Sequence, residues 1–82
     1  MTLNDLKVDE LGLILYVNTQ NHNIKELTKL MSMGIVGGLE IRKLSEVATC
    51  AEYRVEGCYH RFVIDNCLAD YIVIDTLDET LE

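Results

Sequence analysis

The chain has no proline, 7 basic residues against 14 acidic ones, and only three cysteines. Each scarcity narrows what the protein does. The formal net charge is 7 − 14 = −7. That sign runs against nucleic-acid binding, which needs a cationic surface to displace counterions from phosphates. It runs equally against unaided docking on an anionic membrane. The longest apolar run, Leu11 to Val17, is far shorter than the roughly 20 residues that span a bilayer. The opening Met1-Thr2-Leu3-Asn4-Asp5-Leu6 lacks both a cationic start and a long apolar stretch, so no secretory signal is expected. Cys50, Cys58 and Cys67 cannot all pair within one chain, and they read as reduced cytosolic thiols.

No P-loop, dinucleotide fingerprint or zinc-ribbon spacing is present. Gly34-Ile35-Val36-Gly37-Gly38 contains glycines but no following Lys-Ser/Thr, and reads as a helix cap and a turn. What remains is a chain of 82 residues, 49% apolar, long enough for one small domain. Most apolar positions must then serve the core, leaving few for a deep catalytic pocket. No linker, repeat or break in composition divides the sequence.

The pattern predicts five strands and one helix. Thr2 to Leu6 forms a short turn anchored by Leu3 and Leu6, and Val8 to Leu11 a loop. Gly12 to Val17 is a strand, apolar on both faces. Asn23 caps a helix from Ile24 to Met33, with Glu26 reaching back to it. Ile24, Leu27, Leu30 and Met31 share one helical face, and Lys25, Glu26, Thr28 and Lys29 lie mainly on the other. Gly34 ends the helix in a left-handed conformation.

Leu39 to Leu44 is a strand of imperfect alternation, and Ser45 to Thr49 a loop. Cys50 to Val55 and Cys58 to Ile64 are strands joined by a tight Glu56-Gly57 turn. That turn sets Val55 opposite Cys58, Tyr53 opposite His60 and Ala51 opposite Phe62, whereas a bulge at Gly57 would shift the register by one. On the other face the tight turn pairs Glu52 with Arg61, and Arg54 with Tyr59 as a cation–π contact. Asp65 to Asp70 is a turn, Tyr71 to Ile74 the last strand, and the remainder an acidic tail. Short antiparallel strands in so small a chain favour a closed barrel. Leu15, Val17, Leu27, Leu30, Ile41, Val55, Phe62 and Ile72 are the expected core.

Two groups of residues carry candidate chemistry. Cys58 and His60, two apart on a strand, point the same way, so thiolate and imidazole can share a transition-metal ion. Zinc sites take three or four protein ligands, and Cys67 or His22 would have to join. The plainer reading makes Cys58 a small core residue and His60 a barrel-rim residue. A Cys58–His60 nucleophile would also need an orienting group and an oxyanion pocket, for which there is no sign, so no enzyme is expected. The other group lies on the helix. Met31 and Met33 suit an adaptable partner-binding surface as well as core filling. With Leu30, and with Lys25 and Lys29 one turn apart to meet an acidic partner, they form the candidate docking site, with Met33 at least partly exposed.

Several segments together resemble a known family. Leu6, Gly12, Ile14 and Val17 are followed by Lys29-Leu30-Met31-Ser32-Met33-Gly34-Ile35, then by Gly38-Leu39-Glu40-Ile41, Val55-Glu56-Gly57 and Ala69-Asp70-Tyr71-Ile72-Val73-Ile74. Their order and spacing resemble the FeoA, or ferrous iron transport protein A, family over about residues 3 to 75. The resemblance implies a single domain, an SH3-like β-barrel of about five strands with a helix inserted after the first. It also implies a cytosolic, non-enzymatic accessory role in ferrous iron uptake. The implied partner is the cytosolic G domain of a FeoB-type transporter, which would recruit the chain to the inner face of the membrane. The chain itself would be a monomer or a weak homo-oligomer. The alternative is a small metal-binding or metal-sensing protein using Cys58 and His60. The sequence departs from the family at Gly37-Gly38, where Pro-Gly is usual, at Val8-Asp9-Glu10 in place of Pro-Gly-Glu, and at Ile64-Asp65 in place of Leu-Arg. Only Lys29 stands where many members carry a basic cluster on the helix.

Overall fold

The computed structural model describes residues 1–19 and 24–77. Its strands are β1 (Leu11–Val17), β2 (Glu40–Glu46), β3 (Cys50–Val55), β4 (Phe62–Asp65) and β5 (Ile72–Thr76). They form one antiparallel sheet in the order β4-β3-β2-β1-β5. Helix α1 (Ile24–Ser32) lies between β1 and β2, as expected, and a four-residue helix α2 (Asn66–Ala69) replaces the expected turn between β4 and β5.

Closure is completed by the N-terminus rather than by pairing of the two end strands. A 3-10 turn, Leu3–Asp5, packs on both α2 and β5, and α2 packs on β4. Leu3 and Leu6, the expected anchors, are buried in the core with Ile14, Ile35, Ile41, Tyr53, Ile64, Ile72 and Ile74. The Asp5 carboxylate accepts from the Thr2 N–H at 2.9 Å, which ties the turn to itself. Asn4 Nδ2 donates to Asn66 O and to Asp70 Oδ1, each at 2.7 Å, clamping the turn to α2.

Inward and outward positions alternate along β3 and β4, so Ala51, Tyr53, Val55, Phe62 and Ile64 enter the core. The β3–β4 hairpin is nevertheless wider than expected. Gly57 adopts a φ of +91°, and Cys58 to Arg61 stay outside the ladder. Tyr53 therefore faces Phe62, not His60, and Ala51 faces Ile64, not Phe62. The register moves by two residues, which preserves the face of each side chain. The Glu52–Arg61 ion pair consequently forms, at 3.4 Å. The Arg54–Tyr59 contact does not, since Tyr59 is 99% exposed.

β1 differs in the same manner. Its pairing with β5 shifts between Ile14 and Tyr16, a bulge that turns Leu15 and Tyr16 outward together. Leu15, expected in the core, is 46% exposed. Val17 and Leu30 are half-buried, while Leu27, Ile41, Val55, Phe62 and Ile72 are buried as expected. A second shift between Lys43 and Ser45 in the β2–β3 pairing carries β2 on to Glu46, beyond the expected Leu44. β5 also runs later than expected, and the Leu77 N–H donates to Leu11 O at 3.2 Å. The Asn23 cap, His22 and the acidic tail from residue 78 onward lie outside the described residues.

Candidate functional site

The end of α1 begins the site. Gly34 has a φ of +111°, its N–H donates to Met31 O at 3.1 Å, and the Ile35 N–H donates to Leu30 O at 3.1 Å. This pair of bonds is the Schellman arrangement, which satisfies orphan helix carbonyls and reverses the chain. The reversal drops Ile35 into the core and leaves Met33 outside, 49% exposed. Next to it, Gly37 and Gly38 form the turn into β2. Gly38 has a φ of +93°, and a Cβ at Gly37 would stand 2.6 Å from Leu15 O. Beside the β1 bulge no side chain fits there, which explains glycine at the first place of this turn.

Met33 lines an open cavity of about 310 Å³ with His60, Arg61 and Phe62. Phe62 is buried and supplies the apolar base, whereas His60 and Arg61 are exposed. The loop that widens the β3–β4 hairpin therefore makes this hollow. Of the candidate docking residues, Lys25 and Lys29 are exposed on α1, Met31 is half-buried, and Leu30 packs against the core. His60, singled out as a metal ligand, instead shares a cavity with Met33. Cys58 is exposed in the turn after Gly57, where its N–H donates to Val55 O at 3.0 Å. Because neither residue is in a strand, the same-side alternation expected for them does not apply. Among the described residues no three His, Cys, Asp or Glu side chains converge as a metal site. Arg61 and Phe62 were assigned only an ion pair and a core role by the sequence pattern, since a cavity wall has no local signature.

A second hollow of about 230 Å³ lies over the β2–β3 turn, bordered by Glu46, Val47, Cys50, Glu52 and Val63. Lys43, earlier on β2, is only 3% exposed. Its ammonium lies 2.8 Å from Glu46 Oε1 and 5.8 Å from the Tyr53 ring centre. Burial, with a smaller contribution from the Glu46 carboxylate, pushes the Tyr53 hydroxyl up to about 12. That hydroxyl reaches Leu3 O at 3.4 Å. No helix among the described residues is long and apolar enough to cross a membrane.

A five-stranded antiparallel sheet curled around one core, with a helix after its first strand, defines an SH3-like domain. Stenotrophomonas maltophilia FeoA, crystallised with zinc and described as a prokaryotic SH3 domain protein, superposes with a TM-score of 0.81. It is 23% identical over 92% of this chain and 89% of its own. A second FeoA crystal structure, described as an iron uptake regulatory protein, gives a TM-score of 0.74 and 26% identity over 94% of this chain and 100% of its own. The FeoA domain model matches residues 1–76, and the chain belongs to the FeoA family. No curated protein matches it.

Proposed function

We propose that this chain is a non-enzymatic, cytoplasmic accessory protein of ferrous iron uptake. It binds the cytosolic G domain of a FeoB-type transporter and is recruited by it to the inner face of the membrane. Family membership supports the iron-uptake setting. The observation that carries the docking mode is Met33, exposed at the Gly34 cap and lining the cavity with His60, Arg61 and Phe62. Methionine reshapes around an incoming side chain, and a concave apolar floor with polar walls accepts an anchor residue. Lys25 and Lys29, exposed on the same helix, steer an acidic rim of the partner toward it.

Titration with the transporter's cytosolic domain, with and without guanine nucleotide, tests this. Met33→Ala weakens binding by roughly tenfold, as loss of a central apolar anchor does. Lys29→Glu slows association more than it speeds dissociation and flattens the salt dependence, because exposed charges act through a screened field. No binding at concentrations near about 1 mM, a bare 4 kcal/mol of affinity, overturns the reading. Metal binding through Cys58 and His60 is the second reading, and Fe²⁺ or Zn²⁺ calorimetry under reducing conditions examines it. Metal uptake unchanged by Cys58→Ser removes its support.

A further inference from the structure

β4 is an end strand of the sheet, and among the described residues no strand pairs with its outer side. The direction of its amides follows from one bond. The Asn66 N–H donates to Thr49 O at 3.0 Å, in the register that sets Cys50 opposite Asp65 and Ala51 opposite Ile64. Amide groups alternate along an antiparallel ladder, so Phe62 and Ile64 turn theirs toward β3. Val63 and Asp65 turn theirs away from it. Val63 is also 69% exposed, and Arg61 and Asp65 on either side are exposed as well. An open edge with an apolar residue at its middle is a template for strand addition.

We propose that a second copy of this chain adds to this edge, β4 against β4, antiparallel about a twofold axis at Val63. In that register the two Val63 residues face each other and exchange two amide hydrogen bonds. Residues equally spaced from Val63 also face each other, so Arg61 of each copy stands opposite Asp65 of the other, on the same sheet face. A parallel alignment would set like charge against like. The edge is thus self-complementary in charge in the antiparallel arrangement, the requirement for an isologous interface. Arg61 already meets Glu52 at 3.4 Å with its side chain 65% exposed, and a guanidinium has donors enough for both carboxylates. A β-branched pair at the centre, flanked by opposite charges, is a favourable cross-strand set. With a contact this short the dimer is weak, with a dissociation constant on the order of 100 µM. The inference does not rest on transporter binding: Arg61 also lines the Met33 cavity, but Val63 and Asp65 do not, and the test reads association of the chain with itself alone.

Sedimentation of the full chain at about 0.15 M salt, where the net negative charges of the two copies are screened, tests it. From about 10 µM to 1 mM the chain passes reversibly from monomer to dimer. Arg61→Asp alone, or Asp65→Arg alone, raises the dissociation constant about tenfold, since each turns two attractive pairs into repulsive ones. An equimolar mixture of these two variants dimerises again, because each supplies the charge the other lacks. Val63→Pro removes the central amide donor and abolishes the dimer, with circular dichroism reporting whether that variant folds. A monomer at every concentration overturns the proposal, whatever other segment binds the edge. So does a dimer indifferent to both charge reversals, or a mixture that associates no better than either variant alone.

Discussion

The two ends of the sheet meet opposite fates. β5 is covered: Thr2 bridges to Val73, and the Ile74 N–H donates to Met1 O at 2.8 Å. β4 has its outer amides uncovered among the described residues, and its middle residue, Val63, faces solvent. Both ends have comparable strands, one of four residues and one of five. The difference comes from the chain's own N-terminus, which has Leu3 and Leu6 to bury near β5 and nothing equivalent near β4. A sheet edge is closed by whatever segment gains enough apolar burial to offset its ordering, so stability belongs to the covered end and association to the bare one.

The largest test of this contrast removes the anchor. Leu3→Ala, at a fully buried position, lowers unfolding free energy by about 2–5 kcal/mol. It also exposes the β5 edge, which faster amide exchange at Ile74, whose N–H donates to Met1 O, will report; unchanged exchange there would mean the edge is held by backbone bonds alone. Next comes the Tyr53 hydroxyl. Its native pKa is raised from 10.0 to about 12, so the unfolded chain ionises first as pH rises. The stabilisation is full below pH 10 and is lost between there and about 12, a fall on the order of 2 kcal/mol. Denaturant titrations across that window show the fall in the parent chain and a flatter profile in Tyr53→Phe.

A smaller loss follows from Asn4→Ala, which deletes the two 2.7 Å bonds to Asn66 O and Asp70 Oδ1. About 1–2 kcal/mol is expected, because the bond to Asn66 O is part-buried and the second, exposed bond goes to a carboxylate. Smallest is Val63→Thr at the bare edge. Measured at low concentration it shifts monomer stability by less than about 0.5 kcal/mol, as exposed substitutions do. A loss as large as that of Asn4→Ala would show that Val63 already packs against the chain itself.

Some of this arrangement was legible before the fold was known. The helix, its end at Gly34 and the exposure of Met33 follow from a 3.6-residue period stopped by glycine. The leucine anchors at Leu3 and Leu6, and the inward set Ala51, Tyr53, Val55 and Phe62, follow from apolar positions alternating with polar ones. The candidate site was legible only in halves. Met33 and His60 were each singled out, for different reasons, and nothing local indicates that the two line one cavity. Their meeting depends on the length of the β3–β4 loop, where Gly57 permits a wide turn as readily as a tight one.

From sequence alone come the class of the domain, its inside and outside parity, and the family pattern that runs from Leu6 to Ile74. These depend on neighbours within a few residues, where backbone geometry dictates periodicity. Only the tertiary structure decided that Leu15 turns outward, that Lys43 is buried over Tyr53, that the hairpin register moves by two, and that one sheet edge is covered while the other is not. Those outcomes depend on which amide meets which carbonyl across strands far apart in sequence. A shift by two residues leaves every local preference satisfied, and a bulge changes the facing of a single apolar residue, so the choice falls to packing against the rest of the barrel.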